Sequence, residues 1–385
     1  MRRKVLVRFL LIVLILVGLV LMANQIKSYG WRDYLAYWTA GLLISRGDNP
    51  YDVDQVMRMQ QAQGLTDPRP LSIHYPPWSA VWLLPMGWLS LPLGRVLWFV
   101  CSILIFALCS VWLWDFYGGE KEKRWVAWAV TFWFAPTLLM LILGQINPVV
   151  FLGATGFLYF QSRRKDFLAG LALTLVTMKP LLLFVFLGAA GLWALYERRW
   201  KVLAGLVAGL AAESLVVVSL HPTIFRDYTF YVSNNLPDLL TNSVPHLLRA
   251  IISPNAVWLQ YSLVPFALIW MLVYWYKNKD DWQWAKAMPW LAAVTFVTTP
   301  FIWYSDLEFA AFTFLPVAVW GARGRLTWIK ALFFAVLILA PVLPYFYSSY
   351  WNEFWWVGVF PLVYYAAWRL VDRRMPAVQI EGRSA

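Results

Sequence analysis

The side chains able to do acid–base or phosphate chemistry are few in this chain, and they lie in short polar stretches between long apolar ones. In the first, "WRDYLAYWTAGLLISRGDNPYD" (31–52), Asp33 follows directly on an apolar run. Asp33 and Tyr37 repeat at helical spacing and Gly47 suits a helix C-terminus, which predicts an amphipathic helix. Two interpretations of Asp33 stay open. It caps that helix, or it is a general base whose pKa is raised by partial desolvation at a membrane surface.

Two tight turns carry an amide pair and a lysine. In "GQINP" (144–148), Gln145 and Asn147 either cap the flanking helices or hydrogen-bond a ligand, because unpaired amides at membrane depth are costly. In "TMKP" (177–180), Lys179 either reaches lipid phosphates or is a fixed cation for a phosphate diester. Pro180 pins the position of this lysine and favours the second interpretation.

Two aromatic stretches carry further candidates. His74 and Tyr75 precede two prolines in "IHYPPWSA", so they either mark a rigid helix start or line a sugar pocket. Asp306 follows Trp303 in "WYSDLEF", where it either caps the next helix or takes part in a site.

A long polar loop, 221–251, contains Arg226, His246 and Arg249. The planar fork of an arginine suits a phosphate group, although the same composition fits an ordinary solvated loop.

Composition assigns the chain to the polytopic membrane proteins. Hydrophobic residues make up 61% of the 385, charged residues only 14%, and the chain has 26 tryptophans. A soluble domain does not need so much apolar surface, and tryptophans are enriched at membrane–water interfaces. The net charge of +12 is better explained by basic cytoplasmic loops than by nucleic acid.

Twelve apolar stretches follow one another, and short ones are tolerated where a span packs against others. If the N-terminus lies inside and the chain crosses once at each stretch, every basic cluster, from "MRRK" (1–4) to "RLVDRR" (369–374), is cytoplasmic. This requires that 76–92, with Pro85 in its middle, does not cross, which predicts an interfacial or re-entrant helix in the first outer loop. Both termini then lie inside, and the first helix is retained rather than cleaved. The twelve stretches are 5–23, 94–116, 125–143, 147–161, 166–178, 181–196, 200–220, 256–276, 286–300, 307–321, 326–346 and 353–370.

This topology collects the titratable side chains on the outer face. The outer segments include the long loops 24–93 and 221–255, and all three histidines of the chain lie in outer segments. We therefore predict one catalytic membrane domain over 1–376, with its site on the outer face, followed by a tail at 377–385.

Several motifs are absent from the sequence. It contains no glycine-rich nucleotide loop, no Walker lysine and no GxSxG elbow. An activated substrate must therefore reach the site from the membrane or from the outer space. No acidic pair at ligand spacing stands out, so we predict no cofactor and no metal.

Taken in order, these motifs resemble those of the glycosyltransferase family 87 membrane proteins, within the GT-C superfamily. The matching pieces are "RDYLAYWTAGLLISRGDNPY", "HYPPWSAVWLLPMGWLSLPLGRVLW", "GQINP", "TMKP" and "TPFIWYSD". The resemblance implies an all-α GT-C fold of about 12 spans. It also implies transfer of a hexose, mannose being the first choice, from a polyprenyl-phosphate donor to a glycolipid or glycan acceptor. Asp33 would be the catalytic carboxylate, in a site that opens to the periplasm or exterior from the inner or plasma membrane. The chain departs from such enzymes after Trp303, where Tyr304, Ser305 and Asp306 replace a frequent histidine pair.

The residues fit this chemistry independently. A polyprenyl phosphate is already a good leaving group, so one base suffices, unlike the paired carboxylates of most glycosidases. The departing phosphate needs fixed positive charge, which Lys179, Arg226 or Arg249 can supply. The predicted partners are the lipid bilayer, the lipid-linked donor and the acceptor, with no nucleic acid. The predicted substrate-binding residues are Tyr37, His74, Tyr75, Gln145, Asn147, Lys179, Arg226, His246, Arg249, Trp303 and Asp306.

A multi-span transporter or a flippase of lipid-linked sugars is the alternative. A transporter more often shows two similar halves and charges near the membrane midplane, whereas this sequence has no clear repeat and its charges lie at the outer ends of spans. A flippase needs a cavity that opens on both sides. Replacement of Asp33 by Asn separates these classes, because only an enzyme should lose turnover while it still folds and binds the lipid.

Overall fold

The computed structural model describes residues 31–235, 241–342 and 356–372, and these residues form helices and turns without a strand. The predicted first span (5–23) and the tail (377–385) lie outside this part of the chain. The helices are α1 (Arg32–Ser45), α2 (Val53–Ala62), α3 (Leu91–Phe116), α4 (Arg124–Phe132), α5 (Ala135–Leu143), α6 (Asn147–Ser162), α7 (Asp166–Val176), α8 (Phe184–Tyr196), α9 (Trp200–Leu220), α10 (Ile224–Asn235), α11 (Val244–Ile252), α12 (Val264–Asn278), α13 (Trp284–Thr298), α14 (Ala311–Ala322), α15 (Trp328–Leu339) and α16 (Trp356–Val371).

Several helices are suited to a bilayer. Within the described ranges, α3, α9 and the helical stretch Val257–Asp281 are each long and apolar enough to cross a membrane. The pair α4 and α5, bent by 68°, would form a fourth crossing. The described part of the chain is therefore all-α, as predicted, with helices that could span a membrane. The other predicted spans within these ranges coincide with helices of 11 to 16 residues, so the number twelve stays a prediction.

Small residues let the helices approach closely. A Cβ atom on Gly170 of α7 would lie 2.0 Å from the Val202 carbonyl oxygen, and one on Gly205 of α9 would lie 2.2 Å from the Phe167 carbonyl oxygen. Such reciprocal glycine contacts are typical of helix pairs in membranes, where van der Waals packing replaces the hydrophobic effect as the driving force.

Helix α1, which carries Asp33, is buried on every side, with ten of its fourteen residues inaccessible to solvent. The structure thus differs from the amphipathic helix predicted here, because the segment 77–87 covers the second face. A Cβ atom on Gly41 would lie 2.0 Å from the Leu83 carbonyl oxygen, so only glycine permits this contact. The helix ends at Ser45, two residues before Gly47, whose φ of 80° favours glycine after a helix C-terminus, as predicted.

The segment 76–92 forms a 3₁₀ helix at Pro77–Trp82 and one α-helical turn at Leu84–Gly87, after which α3 begins. The Trp82 indole donates a hydrogen bond to Glu213 Oε1 over 3.0 Å. Glu213 lies seven residues before the end of α9, which is about 10 Å along the helix axis. The segment therefore packs beside α9 well below its end. That it lies at or within the membrane surface stays a prediction.

Candidate active site

A cavity of about 600 Å³ lies at the N-terminus of α1. Its walls come from the first turn of α1, the loop before Pro77, the turns after α5 and α7, and the turn after α13. We call it the Asp33 cavity. It brings together eight of the predicted site residues, which are Asp33, Tyr37, His74, Tyr75, Gln145, Lys179, Trp303 and Asp306.

Asp33 is the second residue of α1, and the N-cap position is taken by Trp31. Capping therefore does not explain this aspartate. The backbone N–H of Trp31 donates to the Ile142 carbonyl over 3.1 Å, which fastens the start of α1 to the end of α5. Burial is the main cause that raises the pKa of Asp33 to about 6, although the nearby Lys179 cation opposes it. A carboxylate with this pKa is suited to accept a proton near neutral pH.

Gln145 orients the Asp33 carboxylate. Its Oε1 atom accepts hydrogen bonds from the Tyr37 hydroxyl over 2.9 Å and from Lys179 Nζ over 3.1 Å. Because Oε1 faces these two donors, the amide nitrogen must face the other way, and it donates to Asp33 Oδ2. Among the described residues none donates to the second oxygen, Oδ1, so this atom remains available to a ligand hydroxyl. Residues of both tight turns, 144–148 and 177–180, thus help to orient the Asp33 carboxylate.

Lys179 forms an ion pair with Asp306, with 3.1 Å between Nζ and Oδ1, and both side chains are nearly buried. Burial alone would lower the pKa of Lys179, but Asp306, Tyr75 and Glu308 together outweigh it and raise the pKa above its ordinary range. The lysine is therefore charged at physiological pH. An ammonium group has three N–H donors. Two of them point to Gln145 and Asp306, which leaves one for a ligand in the cavity.

Asp306 has two roles. Its Oδ2 accepts a hydrogen bond from the backbone N–H of Trp303 over 2.8 Å. This contact caps the 3₁₀ helix Tyr304–Ala310, and capping was one of the two interpretations of Asp306 that the sequence left open. Its Oδ1 accepts from Lys179 and from Asn147 Nδ2, the latter over 2.8 Å. Asn147 lies behind the cavity wall and also donates to the fully buried Glu308. Sequence analysis did not place Glu308 at the site, although its position two residues after Asp306 in an apolar turn was a usable signal.

A histidine and two tyrosines, His74, Tyr37 and Tyr75, also line the cavity. The Tyr37 and Tyr75 hydroxyls are 2.8 Å apart, and the Tyr75 ring lies 5.3 Å from Lys179 Nζ. His74 stacks on Tyr231, whose hydroxyl is 2.8 Å from its Nδ1 atom. Burial is the main cause that lowers the pKa of His74 to about 4, so this imidazole is neutral and is not suited to be the base.

Besides Asn147, three predicted residues do not line the Asp33 cavity. Arg226 is exposed and pairs with the adjacent Asp227. Arg249 is buried in α11, where its guanidinium donates to the Pro254 carbonyl and to Gln260. His246 is buried one turn before it. The structure gives Arg249 a local structural role. Among the described residues the cations that line the cavity are Lys179 and Arg32, and Arg32 pairs with Asp67.

Candidate metal ligands do not cluster. No group of three or more His, Cys, Asp or Glu side chains suited to a metal ion occurs among the described residues. That the reaction needs no metal stays a prediction.

The fold and the cavity together define a helical protein suited to a membrane, with a buried carboxyl group of raised pKa and a lysine cation in one pocket. The profile of glycosyltransferase family 87 matches residues 73–300, more than half of the chain. The chain belongs to this family, as the resemblance predicted, and is a glycosyltransferase. Asp33 and Asp306 lie on either side of the matched range. No curated protein and no solved structure matches the chain significantly.

Proposed function

We propose that this glycosyltransferase moves a hexose from a polyprenyl-phosphate donor to the hydroxyl of a glycolipid or glycan acceptor, at the outer face of the inner or plasma membrane. Mannose is the first choice of sugar, on the family resemblance. The observation that carries the proposal is the Asp33 carboxylate, which has one oxygen held by Gln145 and the other open to the cavity. Lys179 lies across the same amide.

The proposed reaction needs one proton acceptor. Asp33 Oδ1 takes the proton of the acceptor hydroxyl while its oxygen forms a bond to the anomeric carbon from the face opposite the phosphate. The bond between that carbon and the phosphate oxygen breaks, and the polyprenyl phosphate leaves with the electron pair. The anomeric configuration inverts. A positioned base of this kind contributes about 10²–10⁴-fold to the rate.

The leaving phosphate needs a positive charge in the site. Its phosphate gains negative charge as the bond breaks, and a fixed cation in a water-poor cavity stabilises that charge strongly. The third N–H of Lys179 is available for this contact. Apolar side chains from the ends of α5 and α7, namely Leu139, Leu143, Met178 and Leu181, line the wall near the lysine. This wall suits the first isoprene units of a lipid-linked donor.

Twelve spans with both termini inside would place this cavity outside the cell. Its polar residues come from segments that the charge pattern assigns to one face, which supports this topology. Cysteine reporters can test it in a background with Cys101 and Cys109 replaced by alanine. A membrane-impermeant maleimide should label Asp54→Cys in intact cells, and Lys121→Cys only after lysis. The opposite pattern would place the cavity in the cytoplasm and refute the proposal.

The catalytic proposal is tested by replacing Asp33 with Asn in cells that lack the native chain. Polyprenyl-phosphate hexoses should accumulate, by mass spectrometry, as much as in the null strain. The control Asp54→Asn should prevent the accumulation. If Asp33→Asn restores turnover, Asp33 is not the base. If the purified wild-type chain moves lipid-linked sugar across proteoliposome membranes without consuming it, the protein is a flippase and the proposal is wrong.

A further inference from the structure

A second cavity, of about 420 Å³, lies where the ends of α12, α13 and α16 meet. It is at the N-terminus of α13, whereas the Asp33 cavity is beyond the C-terminus of the same helix. Since α13 has 15 residues, the two cavities are separated by about 22 Å along its axis. The hydrocarbon core of a bilayer is about 30 Å thick, so the second cavity lies towards the opposite membrane face. We call it the α13 cavity.

Three cationic side chains line the α13 cavity, Lys277, Lys286 and Arg369. None of them forms an ion pair with any residue in the described ranges. The two carboxylates of the cavity are already engaged by uncharged donors. Asp280 accepts from the Tyr196 hydroxyl over 2.6 Å, and Asp281 accepts from Gln283 over 3.1 Å. The cavity therefore carries an excess of one positive charge, and its cations are available to an anion.

Aromatic side chains place the α13 cavity at the level of a membrane surface. Tyr274, Trp282 and Trp290 line it, and the neighbouring Lys279 lies 5.0 Å from the centre of the Tyr276 ring. Tyrosines and tryptophans are enriched at the height of lipid headgroups. This cluster is therefore expected beside the phosphates of one leaflet.

An apolar surface leads directly to the α13 cavity. Phe266, Ile269, Val273 and Tyr276 are all exposed on α12, between 47% and 68% of their surface. Their spacing puts them along one side of the helix, and Lys277 follows one turn after Val273. A ligand with a phosphate in the cavity would lay an attached hydrocarbon chain along this side of α12. A free phosphate ion would leave it uncovered.

We propose that the α13 cavity binds the headgroup of an anionic phospholipid, with the lipid phosphate between Lys277, Lys286 and Arg369 and the acyl chains against α12. Basic pockets between the cytoplasmic ends of membrane helices are suited to such headgroups. The topology from the charge pattern places this end of α13 in the cytoplasmic leaflet. The lipid is distinct from both substrates of the proposed reaction, and its binding requires no turnover.

Native mass spectrometry of the purified full chain, titrated with phosphatidylglycerol or phosphatidylcholine, tests this proposal. Each cation near a headgroup contributes roughly fivefold to binding. The triple variant Lys277→Gln, Lys286→Gln, Arg369→Gln should therefore bind phosphatidylglycerol roughly a hundredfold more weakly, with phosphatidylcholine unaffected. Asp281→Asn should tighten phosphatidylglycerol binding about fivefold, a gain that misfolding cannot imitate. The control Lys121→Gln removes one positive charge from an exposed position outside the cavity and should leave the binding of both lipids unchanged.

Three results would overturn the proposal. The first is a triple variant that keeps the wild-type preference for phosphatidylglycerol. The second is a wild-type protein that does not prefer phosphatidylglycerol over phosphatidylcholine. Displacement of the lipid by an equal concentration of inorganic phosphate would assign the cavity to a soluble phosphate compound instead.

Discussion

Asp33→Asn should stabilise the folded protein while it abolishes turnover. Burial raises the pKa of Asp33 from its ordinary 3.8 to about 6, against the opposing Lys179 cation. The shift is about two pKa units, and each unit corresponds to ~1.4 kcal/mol, so ionised Asp33 destabilises the fold by about 3 kcal/mol at pH 8. This value is an upper limit, because the side chain is only half-buried and water in the cavity screens its charge. Asparagine has a similar shape, and its oxygen can still accept the hydrogen bond from Gln145.

The pH dependence gives the prediction its sign. A carboxyl group with a raised pKa favours the folded state when protonated, so this contribution is fully present below pH 3.8 and is lost as the pH rises through 6. The stability gain of Asp33→Asn should therefore reach its maximum at pH 8 and shrink to less than about 1 kcal/mol at pH 4. Turnover of the wild-type enzyme should fall about tenfold per pH unit below pH 6, because only the ionised carboxylate accepts a proton.

Thermal unfolding in detergent at several pH values measures the effect on stability, and single-turnover transfer assays measure the effect on turnover. The matched control is Asp54→Asn, because Asp54 is also the second residue of a helix, α2, but is exposed. A carboxylate in the first turn of a helix normally stabilises it, so Asp54→Asn should leave stability unchanged or slightly lower and turnover intact. A stability loss in Asp33→Asn at pH 8, equal to or larger than that of the control, would refute the proposed origin of the raised pKa.

Three further predictions concern the surroundings of Asp33. Lys179→Met should cost about 3–5 kcal/mol of stability, because it leaves the buried Asp306 carboxylate without its partner; adding Asp306→Asn should restore folding but not turnover, and restored turnover would exclude the lysine from phosphate binding. Gly41→Ala should lower the melting temperature sharply, since its Cβ would lie 2.0 Å from a backbone oxygen, whereas Gly191→Ala, with open space around it, should be neutral in the same melting experiment. His74→Asn should not change the fall in turnover below pH 6, because burial holds the pKa of His74 at about 4. If that fall disappears in the variant, the histidine is the base.

The polar part of the Asp33 cavity could be predicted because charge and hydropathy in a membrane protein restrict where each turn lies. Gln145, Lys179 and Asp306 are far apart in sequence, but each follows an apolar run that ends on the same side as Asp33. Four turns at one end of a helical bundle are confined to a small area, so their side chains come close together. The residue types then suggested the chemistry.

The remaining features depend on packing that hydropathy does not record. Arg226 and Arg249 lie in the polar segment 221–255, but local acceptors hold both guanidinium groups away from the cavity. The second face of α1 is covered only because Gly41 permits a backbone contact with the segment around Leu83. Neither a hydrogen bond over five residues nor a missing Cβ has a periodicity that a sequence pattern shows.

The proposed reaction also explains why a base with a pKa near 6 suits this site. Transfer moves one negative charge from the Asp33 carboxylate to the leaving phosphate, so the net charge of the cavity is unchanged while the charge shifts towards Lys179. The product phosphate monoester has a second pKa of about 6, close to that of protonated Asp33. The proton can therefore pass on to the product at little cost in free energy. A base at its ordinary pKa would hold the acceptor's proton more weakly during transfer, and one several units higher would retain it afterwards and block the next turnover.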